Sequence, residues 1–164
     1  MTALFILGLV IVLTVILTLV AQILVSAARS KYKIIAPKTV GNDNFERAFR
    51  AHQNQLEANN LFIPLVFLQF PLLATAVAFL TPESGGQLKT SLVGILTIGL
   101  LLVPNFIWLI GRSLYLYGYN VNNSKIKFLG GISAGIGLVL ILLLVIIGGF
   151  SLFGTYYSYF YRSN

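Results

Sequence analysis

The opening stretch Ala3–Ala28, ALFILGLVIVLTVILTLVAQILVSAA, holds no charged side chain, and its reading decides the fold. A bilayer's hydrocarbon core is roughly 30 Å thick and a helix rises about 1.5 Å per residue, so about 20 apolar residues make a span. This run exceeds that length. It begins almost at Met1 with no basic segment before it, and it is longer than the apolar part of a signal peptide. It therefore reads as a retained helix and not as a cleaved leader. Three further runs meet the same condition: about Asn59 to Leu80, about Ser91 to Tyr117, and Phe128 to about Phe153.

Composition agrees with that reading. Of 164 residues, 57% are hydrophobic and only 9% are charged, whereas soluble domains carry about 25% charged residues. So few charges cannot solvate the surface of a globule, and disorder needs the opposite balance. The expectation is an all-α membrane protein, a single domain over residues 1–164 built as a four-transmembrane-helix bundle. Pro64, Pro71 and Pro104 fall inside spans, where neighbouring helices compensate for the lost backbone bonds. Cysteine is absent, which removes disulfides, thiolate metal sites and a protein-borne thiol nucleophile. One histidine and four acids do not make a metal cage, so no metal is expected.

The net charge of +7 is read as topology and attraction to anionic headgroups, not as nucleic-acid binding. Arg29, Lys31, Lys33, Lys38, Arg47 and Arg50 lie in the first loop, and Arg112, Lys125 and Lys127 lie about the third. Lys89 and Arg162 alone lie on the other side. Nine of the eleven basic residues thus place loops one and three in the cytoplasm and both termini opposite. The aromatic tail from Tyr156 to Tyr161, closed by Arg162, suits the far interface as an anchoring belt. Gly131 and Gly135 form a GxxxG beside Gly130 and Gly137, a candidate packing seam.

Polar groups at the membrane boundary carry the functional information. In the run Phe45-Glu46-Arg47-Ala48-Phe49-Arg50-Ala51-His52-Gln53-Asn54-Gln55-Leu56-Glu57, a turn of about 100° per residue gathers Arg47, Arg50, Asn54 and Glu57 on one helical face. A snorkelling interfacial helix accounts for Arg47 but poorly for Glu57, which stands at the start of an apolar run. His52 points to the opposite side of that helix. Near the end of the third span, Arg112, Tyr115 and Tyr119 share a second face, and Gly118 leaves space beside it. Arg29 closes the first span on the same side of the membrane. Arginines, an amide, a carboxylate and phenols suit a small ligand with two carboxylates and one amine. Glutathione is such a molecule.

The first of these runs resembles the signature of the membrane-associated proteins of eicosanoid and glutathione metabolism (MAPEG), and its RAHQNxLE form is most similar to the microsomal glutathione S-transferases. Arg112-Ser-Leu-Tyr115-Leu-Tyr-Gly118-Tyr119 resembles the family's second motif, and the likeness covers essentially the whole chain. The resemblance implies a homotrimer that binds glutathione between subunits near the cytoplasmic face. It implies glutathione contacts at Arg50, Asn54, Glu57, Tyr115 and Tyr119, a contact at Arg29 from the adjacent helix, and His52 in place of a ligand-contacting Gln.

Two departures stand out. Ala58 follows the glutamate where the cysteinyl-leukotriene synthase has tyrosine, which argues against that specialisation. Ile126 falls where the family has its thiolate-activating arginine, flanked by Lys125 and Lys127.

The resulting expectation is a glutathione transferase, with peroxidase activity as a further capacity, acting on a lipophilic electrophile or lipid hydroperoxide from the bilayer. Arg112, Lys125 or Lys127 would stabilise the thiolate, with Tyr119 as a hydroxyl donor. Two other readings stay open: a non-catalytic lipid-binding member, and a structural protein whose polar faces only join subunits.

Overall fold

The computed structural model describes the backbone of residues 2–80 and 87–162, and the side chains of residues 5–72, 99–100, 102–154, 156–158 and 160–161. Lys89 and Arg162 lie outside the described side chains. The described residues form four helices: α1 over Thr2–Tyr32, α2 over Asp43–Leu80, α3 over Gln87–Asn120 and α4 over Ser124–Arg162. The expected all-α class is met. Each helix is longer than the apolar run within it. In particular, α2 begins at Asp43 and carries the polar motif into the apolar segment without a break.

Local chemistry sets these starts. Asn42 Oδ1 accepts from the backbone N–H groups of Asn44 and Phe45, while Glu46 Oε1 accepts from Gly41 N–H. An amide cap and a returning carboxylate thus satisfy donors that a helix start leaves open. Asn123 does the same for α4, accepting from the N–H groups of Lys125 and Ile126. The tight turn before it needs a residue at positive φ, and Asn122 takes it at 55°, a conformation asparagine tolerates well.

α2 and α3 are central, α1 and α4 flank them, and the most extensive interface is α3 against α4. The main core holds Leu7 and Val10 of α1, Phe62 and Val66 of α2, Trp108 of α3 and Ile141 of α4. Phe62 and Trp108 stack with ring centroids 3.5 Å apart. Two smaller buried clusters, around Leu116 and around Phe45, lie nearer the polar end, and many other apolar side chains face outward, including Val12, Val15 and Leu19 of α1 and Ile136, Val139 and Leu143 of α4. Water-facing surfaces rarely show such continuous apolar faces. Phe5–Tyr32 and Ser124–Ser158 are long and apolar enough to cross a membrane.

The close approach does not fall on the expected GxxxG pair. A Cβ at Gly135 would meet nothing within 4 Å, and one at Gly131 would make ordinary contact with the Tyr115 ring. The close approach uses Gly130 and Gly137 instead. A Cβ on Gly130 would fall 2.4 Å from Tyr115 N, and one on Gly137 would fall 2.6 Å from Trp108 N. From the α3 side, Gly111 and Gly118 repeat the pattern against Ala134 N at 2.4 Å and Lys127 N at 2.5 Å. Backbone touches backbone along this seam.

Candidate functional site

The end of the bundle where α1 gives way to α2, and α3 to α4, gathers the basic residues. The two polar faces read from the sequence meet there. Asn54 Nδ2 donates to the Tyr115 hydroxyl at 2.9 Å, joining the α2 and α3 motifs across sixty-one positions of chain. The Tyr115 and Tyr119 rings stand 5.4 Å apart.

Arg112 organises this junction. Only 7% exposed, its guanidinium donates from Nε to Gln55 Oε1 at 3.0 Å and from Nη2 to the Asn54 carbonyl at 2.8 Å. It also lies over the Tyr115 ring, 4.8 Å from the centroid. A buried cation with these partners is a fixture, since removing one partner strands the others. The hydrogen bonds continue inward: Gln55 Nε2 donates to Asn59 Oδ1 at 3.0 Å, and Asn59 Nδ2 donates to Thr18 Oγ1 of α1 at 2.8 Å. Gln55 is the residue that sequence reasoning missed. Its signal was an amide one position beyond Asn54, on the face that the helical period turns toward the core.

Three openings surround the junction. A polar rim cavity of about 340 Å³ lies between the first turns of α2 and the α3–α4 turn, lined by Asp43, Glu46, Arg47 and Arg50 from α2 and by Tyr119 and Lys127 from the other side. A groove of about 720 Å³ runs along α4, lined by Tyr115, Ser124, Lys125, Lys127, Phe128 and Ile132. A cleft of about 410 Å³ has Asn54, Glu57, Arg112 and Tyr115 at its polar end and Leu61 and Leu138 below. Charge at one end and hydrocarbon below is the pattern of a site for a polar molecule beside an apolar one.

Arg50, Asn54, Glu57, Tyr115, Tyr119 and Lys127 thus line neighbouring openings at one end, which share Ser124 and Lys127, and Tyr115 and Gly131, as wall residues. Arg50 and Glu57 are exposed, while Tyr119 and Lys127 are half-buried, with Lys127 Nζ 4.8 Å from the Tyr119 ring centroid. Lys125 is exposed on the groove alone. Two residues are placed elsewhere. Arg29 donates to the Lys38 carbonyl at 2.8 Å and lies over Phe45, so within one chain it braces the first loop. His52 is half-buried on the α2 face turned away from Asn54.

An all-helical membrane protein with an arginine- and tyrosine-lined site at one end is the class these features define. The chain belongs to the MAPEG family, whose model matches residues 7–148. It is similar to an uncharacterized protein of Synechocystis sp., 32% identical over 107 residues, which cover 65% of this chain and 61% of that protein. It is also similar to microsomal glutathione S-transferase 2 of Bos taurus, 51% identical over 39 residues, which cover 24% of this chain and 27% of the bovine protein. The matched stretches therefore span about three fifths and about a quarter of these relatives.

Proposed function

We propose that the protein is a membrane-bound glutathione S-transferase that conjugates glutathione to lipophilic electrophiles and also reduces lipid hydroperoxides. The observation carrying this reading is the direct bond between Asn54 and Tyr115, which joins the two motifs beside an apolar groove. Similarity to a bovine protein named for glutathione transfer supports it. The reading includes four membrane spans, loops one and three in the cytoplasm, and a homotrimer. In the trimer a neighbour's Arg29 and His52 would complete the site, because neither joins it within one chain.

The chemistry follows from the residue types. Arg50 takes a carboxylate of glutathione with paired donors, and Glu57 accepts from its ammonium. Asn54, Tyr115 and Tyr119 supply neutral hydrogen bonds that orient the peptide. The chain has no cysteine, so the attacking sulfur is the ligand's own. A nearby cation favours the thiolate over the thiol, and each unit by which it lowers the thiol pKa is worth about 1.4 kcal/mol. The thiol proton leaves to solvent, the new C–S bond forms, and the leaving group departs with its electron pair. For a hydroperoxide, two glutathiones yield the disulfide, the alcohol and water.

One observation favours a second reading. Ile126 stands where a thiolate-activating arginine is expected, which suits a member that holds a lipid without turnover. Conjugation of glutathione to an activated aromatic halide by the purified protein in detergent separates the two. Turnover dependent on glutathione and enzyme concentration supports the transferase. Absence of turnover, with glutathione failing to raise the thermal midpoint, supports the lipid binder.

A further inference from the structure

The segment between α1 and α2 is held by hydrogen bonds to both helices. Ile34 N–H donates to the Arg29 carbonyl at 3.0 Å, Arg29 Nη1 donates to the Lys38 carbonyl at 2.8 Å, and Gly41 N–H donates to Glu46 Oε1 at 2.9 Å. Within this fixed loop two adjacent isoleucines are sorted. Ile34 packs against the buried cluster around Phe45, whereas Ile35 is 78% exposed. Ala36 and Pro37 are exposed beside it, as are Lys31, Lys33 and Lys38 on either flank. The outcome is an apolar tip, Ile35-Ala36-Pro37, framed by lysines. No acid occurs between Arg29 and Asn42, so the loop's own side chains leave that charge unbalanced.

The backbone at Lys33 points the same way. Its φ of 54° is the left-handed conformation that the end of a helix commonly gives to glycine. A side chain strains the backbone there and glycine does not. The lysine thus keeps an ammonium at a position where the backbone alone favours glycine.

Depth decides what the tip meets. Arg29 is the first charge after the run Ala3–Ala28, so it marks the headgroup layer at this end of the bundle. Ile34 and Lys38 are both bonded back to Arg29, which holds the tip near that level. Aliphatic groups framed by cations at this depth match anionic headgroups with acyl chains just beneath them.

We propose that the first loop is a binding surface for anionic phospholipid: Lys31, Lys33 and Lys38 take the headgroup phosphates, and Ile35 with Pro37 enters the acyl boundary. This inference rests on the membrane-spanning arrangement of the helices and needs no glutathione chemistry.

The test uses the full-length chain, which has no cysteine of its own, with Ala36→Cys carrying an environment-sensitive fluorophore. The labelled protein is placed in nanodiscs of phosphatidylcholine, with or without phosphatidylglycerol, that include a phospholipid spin-labelled near its glycerol. Quenching of the fluorophore should rise with phosphatidylglycerol content and fall again as salt is added. The apparent affinity read from that rise should drop about fivefold in each of Lys31→Gln, Lys33→Gln and Lys38→Gln. Lys33→Gly separates charge from structure. Its thermal midpoint should stay at or above that of the wild type, because glycine relieves the backbone, while the same loss of affinity appears. A tip left unquenched in both membranes overturns the proposal and indicates an acidic soluble partner instead. Quenching that ignores phosphatidylglycerol, or is unchanged in all three glutamine variants, overturns it as well.

Discussion

α3 is joined to its two neighbours by opposite means. Toward α4 its closest approach is bare backbone: Gly111 and Gly118 bring backbone against Ala134 and Lys127. Toward α2 it offers its most polar side chains, Arg112 and Tyr115, which bond to Gln55, the Asn54 carbonyl and the Asn54 amide. In a bilayer the hydrophobic effect does not press helices together, so association draws on close packing and on hydrogen bonds. The glycine seam is a spacing device with no freedom left in it. The polar joint is a steering device, because its partners fix where Asn54 and Tyr115 point. One joint holds the frame, and the other aims the site.

The difference is sharpest where a methyl group cannot fit. Gly111→Val places a Cβ where the backbone of Ala134 lies at 2.4 Å, so the helices must part along their length. Overpacking usually costs about 1–3 kcal/mol, and here no flexible side chain can yield. The variant should lose well over 3 kcal/mol or fail to assemble, seen as a collapsed melting transition and aggregation in detergent. A thermal midpoint near wild type would break the comparison.

Arg112→Met should act on the second joint at the next level of effect. It leaves the Gln55 side chain and the Asn54 carbonyl without their donor, at about 1–3 kcal/mol for an unsatisfied buried group. It also frees Tyr115, so glutathione affinity should fall together with stability. Gln55→Leu should also destabilise, because it strands Arg112 Nε and Asn59 Oδ1, and the double variant should lose less stability than the sum of the two singles. Strictly additive losses would show that the bond does not hold the joint.

The smallest effect is expected at Gly135→Ala, where the added methyl meets nothing within 4 Å. The subunit's stability should stay within about 0.5 kcal/mol of wild type. If the variant folds normally but dissociates to monomers on size exclusion, Gly131 and Gly135 are a seam between subunits instead.

These contrasts also mark what the sequence disclosed. The helical class was legible in Ala3–Ala28, because a charge-free run of that length has few other uses. The two polar faces were legible because Arg50, Asn54 and Glu57, and then Arg112, Tyr115 and Tyr119, repeat at helical spacing. That period also separated His52 from the α2 constellation. It did not show which residues touch across helices. Gln55 drew no assignment from the sequence, yet it is the buried partner of Arg112. Arg112 accordingly reads as a structural cation, where the sequence left it level with Lys125 and Lys127 as a thiolate partner. The glycine seam was misplaced for the same reason. A GxxxG can be counted along one helix, whereas the operative pair, Gly130 and Gly137, depends on which face meets α3.

The central claim is that the polar end of this bundle holds glutathione, with Arg50 gripping a carboxylate. Calorimetric titration of the purified protein in detergent, wild type against Arg50→Ala, tests it most directly. A charge-assisted pair is worth about 1.5–3 kcal/mol, so saturable wild-type binding should weaken roughly 10- to 150-fold in the variant. Absence of saturable binding in the wild type, or the same affinity in Arg50→Ala, would contradict the account.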